Sequence, residues 1–113
     1  MSLFSEELKL REIKQRSVDI DENFYNLLGE LARKYKTSIT KLVVIAVEEL
    51  LKTKKVVVYQ RETTMSTISR TYRFQAKILK GLENLKSEYG DLAVYRLINI
   101  AIRNALIREG LIK

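Results

Sequence analysis

Cysteine, histidine, tryptophan and proline are all absent from this chain of 113 residues. Without cysteine there is no disulfide, no thiolate nucleophile and no zinc–thiolate site, and without histidine the commonest general base and metal ligand is missing. The serine, tyrosine, lysine and aspartate residues form no cluster whose spacing sets a nucleophile beside a base. The composition therefore argues against an enzyme with a small-molecule substrate, a metal site or a cofactor.

Two further absences bear on location and source. The sequence shows no basic segment followed by an apolar leader, and no apolar run approaches about 18 residues, so we expect a soluble cytoplasmic protein that does not enter a membrane. The four missing residue types, together with abundant lysine, glutamate and isoleucine, are compatible with a thermophilic source.

Basic residues outnumber acidic ones, 21 to 14, and give a net charge of +7. The excess is uneven, because residues 1–56 contain 11 basic and 9 acidic side chains whereas residues 57–113 contain 10 and 5. Such a balance favours a polyanionic partner, most often nucleic acid, with an anionic membrane surface as the other option. On charge alone, a soluble basic protein without such a partner is equally open.

One sequence pattern occurs twice in the chain, 54 positions apart. RSVDIDENFYNLLGELARKY at 16–35 matches RTYRFQAKILKGLENLKSEY at 70–89, and VIAVEELL at 44–51 matches NIAIRNAL at 99–106 after a slip of one residue. A unit of this size does not bury its apolar face alone. We therefore predict one compact domain over 1–113, whose halves pack on each other about a pseudo-twofold axis.

Each copy reads as a strand followed by two helices. Residues 14–20 and 67–74 alternate, as strands do, and later apolar residues recur at helical spacing. The predicted helices cover 22–35, 39–51, 76–89 and about 92–108. The second is apolar on nearly every side, which predicts that it is buried all round, and the fourth is again apolar on most faces.

Polar residues and a glycine mark the expected helix ends. Asp21 is expected to cap the first predicted helix, Thr37 or Ser38 the second and Asp91 the last, while Gly90 ends the third. Residues 1–12 favour a short helix capped by Ser5 over a frayed arm.

The connection at 53–66 is predicted to be an extended linker between the halves. Val56–Tyr59 is rich in β-branched residues, so an additional strand there is the alternative interpretation.

A short strand, a helix, a polar turn and a buried helix in duplicate resembles the ribbon-helix-helix (MetJ/Arc/CopG-like) family of DNA-binding regulators. The resemblance covers 13–52 as a first repeat and 67–108 as a second. It implies a mostly α fold with a short two-stranded antiparallel ribbon, here a tandem pseudo-dimer within one chain. Fused versions of this kind resemble regulators from viruses of hyperthermophilic archaea, which would place the protein in the host cytoplasm.

The positions of the apolar residues predict which side chains of the two strands face the core and which face outward. Ile20 and Phe74 lie four residues before Phe24 and Ile78 and must turn inward to meet the core, so Val18 and Tyr72 turn inward too. The alternate side chains then face outward, at positions that match base-reading residues of the family. They are Gln15, Ser17, Asp19, Ser69, Thr71 and Arg73.

We expect Ser17 opposite Thr71, with Gln15 across from Arg73 and Asp19 across from Ser69. Arginine pairs with guanine and glutamine with adenine in the major groove, whereas a carboxylate accepts from the cytosine amino group or holds Arg73 or Ser69 in place. An ordinary solvent-exposed ribbon face is the alternative interpretation.

Phosphate contacts are expected beside the ribbon and at the start of each buried helix, where free N–H groups and the helix dipole attract anions. The expected residues are Arg16, Arg70, Lys36, Thr37, Ser38, Thr40 and Gly90. Because Gly90 is followed by Asp91, the phosphate contact at the start of the last helix is expected to be weaker than the contact at the first buried helix. A strand register shifted by one residue, which would turn Lys14, Arg16 and Val18 toward the bases, stays open.

The leading hypothesis is a regulator specific for double-stranded DNA that acts as a homodimer or higher oligomer on an inverted repeat. Repression is expected rather than activation, since no second domain for recruiting polymerase is evident. An antitoxin-like protein-interaction module and a non-specific DNA-coating protein are the alternatives.

Overall fold

A computed structural model of the chain describes residues 2–61 and 65–112. Within them, strand–helix–helix occurs twice after a first helix. The elements are α1 (Leu3–Arg11), β1 (Ile13–Asp21), α2 (Glu22–Lys34), α3 (Ile39–Thr53), β2 (Thr67–Gln75), α4 (Ala76–Glu88) and α5 (Val94–Arg108). The prediction of a mostly helical fold with a two-stranded antiparallel sheet is confirmed.

The two strands form an antiparallel ribbon that runs from the pair Ile13 and Gln75 to the pair Asp21 and Thr67. Successive side chains of a strand point to opposite faces, so one face packs on the helices and the other meets water. The inner face carries four apolar side chains that are at most 3% exposed: Val18, Ile20, Tyr72 and Phe74. The predicted pairing of Ser17 with Thr71 is confirmed. The shifted register, which would turn Val18 toward the bases, is wrong, since Val18 is 1% exposed.

The helices enclose a hydrophobic core that includes residues of both strands and of α2 to α5. Helix α5 lies deepest, because eight of its residues are buried, from Val94 to Leu106. Helix α3 buries four. The expectation that α3 is buried all round is wrong, since Ile45 is 61% exposed beside an open groove between α3 and α5.

Three predicted caps differ from the structure. Helix α1 is capped by Ser2, whose hydroxyl accepts from the N–H of Ser5, so Ser5 is not the cap. Helix α5 begins at Val94 after Ala93, and Asp91 instead adopts a left-handed backbone with φ 62°. Asp21 precedes α2 but makes no capping bond with its side chain.

Asp21 is instead the buried centre of a polar cluster that attaches the linker to the core. Its carboxylate is 1% exposed, accepts a 2.6 Å hydrogen bond from the Tyr59 hydroxyl and lies 2.7 Å from Arg61 Nε. The Tyr59 ring packs edge-on against Phe24 at 5.6 Å, and its carbonyl accepts from Arg96 at 3.0 Å. A buried carboxylate is tolerated only when it is paired and hydrogen-bonded, and here the linker supplies both partners.

The described parts of the linker that follow α3, residues 54–61 and 65–66, contain no strand, so Val56–Tyr59 does not extend the ribbon. Residues 62–64 of the predicted linker lie outside the described residues. Across the part of the chain that the structure describes, no helix is both long enough and apolar enough to span a membrane.

A second buried polar residue, Asn99 of α5, fastens the end of β1. Its side-chain oxygen accepts from the N–H of Asp21 at 2.9 Å, and its amide nitrogen donates to the carbonyls of Asp19 and Tyr95 at 2.9 and 2.8 Å. The Asp19 carbonyl and the Asp21 N–H lie on the edge of β1 that faces away from β2, because the ladder bonds run through the alternate residues, as the 2.9 Å bond from the Glu22 N–H to the Ser66 carbonyl shows. Asn99 therefore satisfies backbone groups on this free edge of the ribbon.

We predict that Asn99→Ala lowers the free energy of unfolding by about 2–4 kcal/mol, because it leaves buried backbone groups without partners. Urea unfolding followed by circular dichroism measures the change. Asn104→Ala is the matched control on the same helix: Asn104 donates to the carbonyl of Lys55 at the surface, and its loss is expected to cost less than about 1 kcal/mol. Equal losses for the two variants would contradict this role of Asn99.

Candidate nucleic-acid interface

The outer face of the ribbon presents a continuous row of polar side chains. All six predicted base-reading residues are exposed on this one face: Gln15, Ser17, Asp19, Ser69, Thr71 and Arg73. They form three cross-strand pairs, Gln15 with Arg73, Ser17 with Thr71 and Asp19 with Ser69. Among the described residues, none of the six side chains makes a hydrogen bond or an ion pair, so their donors and acceptors are open to a ligand.

The two charges of this face lie at opposite ends. Asp19 is four residues along β1 from Gln15, the partner of Arg73, which corresponds to about 14 Å at 3.4 Å per residue. Since salt screens exposed charges beyond about 8 Å under physiological conditions, Asp19 and Arg73 act independently. The suggestion that Asp19 holds Arg73 in place is therefore wrong.

The two arginines expected beside the ribbon differ from each other. Both lie on the inner side of the strands, yet Arg16 is half-buried whereas Arg70 is exposed. The guanidinium of Arg70 lies 5.9 Å from the centroid of the Tyr25 ring, and its Nη1 donates to the carbonyl of Ser69 at 2.9 Å. Stacking of this kind holds a guanidinium in place while leaving its other donors free. Position 79, which corresponds to Tyr25 in the repeat, is leucine and offers Arg16 no such ring.

The two helix starts also differ. At α3 the Ser38 hydroxyl accepts from the N–H of Lys41 at 3.2 Å, after a left-handed Lys36 with φ 53°. Thr37 and Thr40 are half-buried beside it. At α5 the cap position is Ala93, which has no side-chain hydrogen bond, and the preceding turn contains left-handed Gly90 with φ 64°. Only the first helix start therefore has a hydroxyl that can join the backbone N–H groups around a phosphate.

Tyr72 lies directly beneath the exposed face, opposite Arg16 in the ladder. It is 3% exposed, and among the described residues its hydroxyl has no hydrogen-bond partner. Burial raises the pKa of this phenol to about 12, with a smaller contribution from Tyr25, while Arg70 acts in the opposite direction. An inward aromatic residue was expected here, but a buried hydroxyl without a partner was not.

Three residues that contact or support this surface were missed by sequence reasoning: Tyr25, Asn99 and Tyr59. Asn99 carried a usable signal, since an amide within the apolar run LINIAI needs buried partners. The others carried none, because an aromatic residue on a helix or in a linker has many ordinary roles.

Comparison of the chain with protein-family models, with curated proteins and with solved structures finds no match. The exposed ribbon is therefore the starting point for a functional proposal.

We predict that Tyr72→Phe reduces the alkaline loss of stability. A phenol whose pKa is higher in the folded than in the unfolded protein stabilises fully below the unfolded value near 10 and loses that contribution as the pH rises toward about 12. The phenylalanine variant should lose less stability over this range. At pH 7 its free energy of unfolding should be unchanged or up to about 1 kcal/mol higher, because an unpaired hydroxyl is removed.

Tyr59→Phe is the informative counterpart, since burial and the bond to Asp21 raise the pKa of Tyr59 as well. This variant should lower stability at pH 7, because it removes that bond. Urea unfolding at pH 7, 10 and 11 separates the two tyrosines. A Tyr72→Phe protein that is clearly less stable at pH 7 would contradict the assignment of an unpaired hydroxyl.

Proposed function

We propose that this protein is a sequence-specific regulator of transcription that inserts its antiparallel ribbon into the major groove of double-stranded DNA. The observation that carries the proposal is the outer face of the ribbon, where six polar side chains are exposed, without bonds to any described residue, over apolar residues that fix their direction. A rigid polar row on a basic protein, with a net charge of +7, suits a ligand that is both patterned and anionic.

The shape and chemistry of the ribbon suit the major groove. That groove admits a two-stranded ribbon, and each base pair presents there a distinct pattern of donors and acceptors. Arg73 can donate twice to guanine, and Gln15 can both donate to and accept from adenine. Ser17 and Thr71, at the centre, pair with either kind of base edge or contact a thymine methyl group.

We further propose that the two halves form a tandem pseudo-dimer of ribbon-helix-helix units. Support comes from the repeated element order and from the pairing of Ser17 with Thr71, which are themselves 54 positions apart. Residues that are equivalent in the repeat are thus neighbours at the centre of the ribbon, as a twofold axis through that point requires.

Phosphate contacts would position the ribbon without selecting its sequence. The stacked Arg70 and the hydroxyl-capped start of α3 are the strongest candidates for such contacts. The start of α5, with Asp91 in the preceding turn, is the weaker one. A ribbon seated in this way within a promoter would obstruct polymerase, which favours repression.

Pairing of two chains on an inverted repeat is the proposed assembly. Exposed apolar side chains outside the ribbon support it, since such groups are typical of contact surfaces. They include Leu3, Phe4 and Leu8 of α1, and Val57 and Val58 of the linker. A symmetric pair of chains would bind two half-sites in inverted orientation.

The test is selection from random duplex DNA, followed by measurement of the selected duplexes against scrambled duplex at two salt concentrations. A defined motif bound at least about 1000-fold more tightly than scrambled DNA is expected of a sequence-specific protein. Equal binding to all duplexes, with a steep loss at higher salt, would instead identify a non-specific coating protein. An absence of binding would reject DNA as the partner.

We predict that Gln15→Ala with Arg73→Ala relaxes base preference and leaves folding intact. About 1–3 kcal/mol of discrimination should be lost for each bidentate contact, measured as the ratio of dissociation constants for selected and scrambled duplex. Arg33→Ala, an exposed change near the end of α2, is the control and should leave this ratio unchanged.

Arg16→Ala with Arg70→Ala should behave differently, because phosphate contacts carry no sequence information. Affinity for both duplexes should fall together, and the salt dependence should decrease by about one unit of slope for each cation removed. If this pair abolished base preference while the Gln15 and Arg73 pair kept it, the proposed reading face would be wrong.

A further inference from the structure

Two residues of opposite charge occupy equivalent positions of the repeat and face outward from opposite ends of the ribbon. Asp19 and Arg73 are 54 positions apart, which is the period of the repeat, and both are exposed. Asp19 lies across from Ser69, and Arg73 lies across from Gln15. One end of the outer face therefore carries a side chain that only accepts hydrogen bonds, and the other end carries a side chain that only donates them.

We propose that one chain reads an asymmetric half-site in a single orientation, with a guanine facing Arg73 and a cytosine facing Asp19. This inference rests on the proposed function and adds the identity of the two outer bases and the strands on which they lie.

The assignment of cytosine follows from what a carboxylate can accept. Cytosine presents an amino donor to the major groove with no acceptor beside it, whereas adenine places the N7 acceptor next to its amino group. Guanine and thymine present acceptors at the corresponding edge and would repel the carboxylate. Cytosine is thus the base that Asp19 can face without repulsion.

The backbone around Asp19 is held in place, so its short side chain stays on the outer face of the ribbon. The Asp19 carbonyl accepts from Asn99 at 2.9 Å, and the N–H of Asp21 donates to the same asparagine at 2.9 Å. No ion pair in the described part of the chain neutralises the Asp19 carboxylate. An uncompensated negative charge is therefore presented wherever the ribbon is seated.

Reversing the chain on the same duplex would be penalised at both ends. Asp19 would then meet the acceptors of guanine, and Arg73 would meet the donor of cytosine. Under the twofold relation of the two halves, the bases that face positions 19 and 73 lie on opposite DNA strands. A cytosine facing Asp19 is paired with a guanine on the other strand, so both guanines of the half-site lie on one strand.

The experiment compares selection from random duplex DNA by the wild-type chain, by Asp19→Arg and by Glu30→Arg. Asp19→Arg places arginine at both equivalent positions, so the two outer positions of its selected half-site should become self-complementary, with the two guanines on opposite strands. Glu30→Arg makes the same change in charge at an exposed position of α2 and should keep the wild-type half-site. Circular dichroism confirms that each variant is folded.

A second variant tests the cytosine assignment directly. Asp19→Asn keeps the shape but removes the charge and supplies a donor, so the preference for cytosine over adenine at that position should fall by about tenfold, measured with two duplexes that differ only there. Arg73 is untouched, so the preference for guanine should persist.

The outcomes separate this inference from the proposed function. A wild-type protein that selects no motif would reject both. A wild-type motif whose outer positions are already self-complementary, or an Asp19→Arg protein that keeps the wild-type motif, would overturn the asymmetric reading and leave sequence-specific binding intact. The inference is supported if one guanine moves to the other strand in the motif selected by Asp19→Arg and not in the motif selected by Glu30→Arg.

Discussion

Burial of four side chains beneath the ribbon determines everything that the ribbon presents to its surroundings. Because side chains alternate along a strand, a shift of one residue would expose the buried set and bury the polar set. Two of the four are large, and each of the four is at most 3% exposed, so the cost of such a shift would be several kcal/mol. The outer face is polar and exposed as a consequence. The four are Val18, Ile20, Tyr72 and Phe74.

Polar contacts on the core side of the ribbon also hold it in its position. Asn99 satisfies the backbone where β1 ends, and Asp21 binds the linker through Tyr59 and Arg61. Each of these contacts joins segments that are far apart in the chain. They hold the end of the strand against α5 and the linker, and this leaves the ribbon little freedom to twist away from the core. The reading face is thus supported by buried polar groups as well as by apolar packing.

The ribbon and its register followed from the sequence because the signals are local and repeated. Ile20 and Phe74 stand four residues before buried helix positions, and this spacing alone determines which face turns inward. The role of Asp21, in contrast, does not follow from local signals. A carboxylate before a helix is a good cap by local rules, yet its partners are on the linker, 38 and 40 positions away. The contacts of Asp21 in the folded chain outweighed its local preference for capping the helix, and no pattern in the sequence indicates those contacts.

Both strands of the ribbon belong to one chain, and this has a consequence for how the protein responds to dilution. When two separate chains supply the strands, the amount of intact ribbon falls as the protein becomes scarce, since the stability of an obligate dimer depends on the concentration of its protomers. Here strand pairing is intramolecular and independent of concentration. A few molecules in a cell would each carry a complete ribbon from the moment they fold.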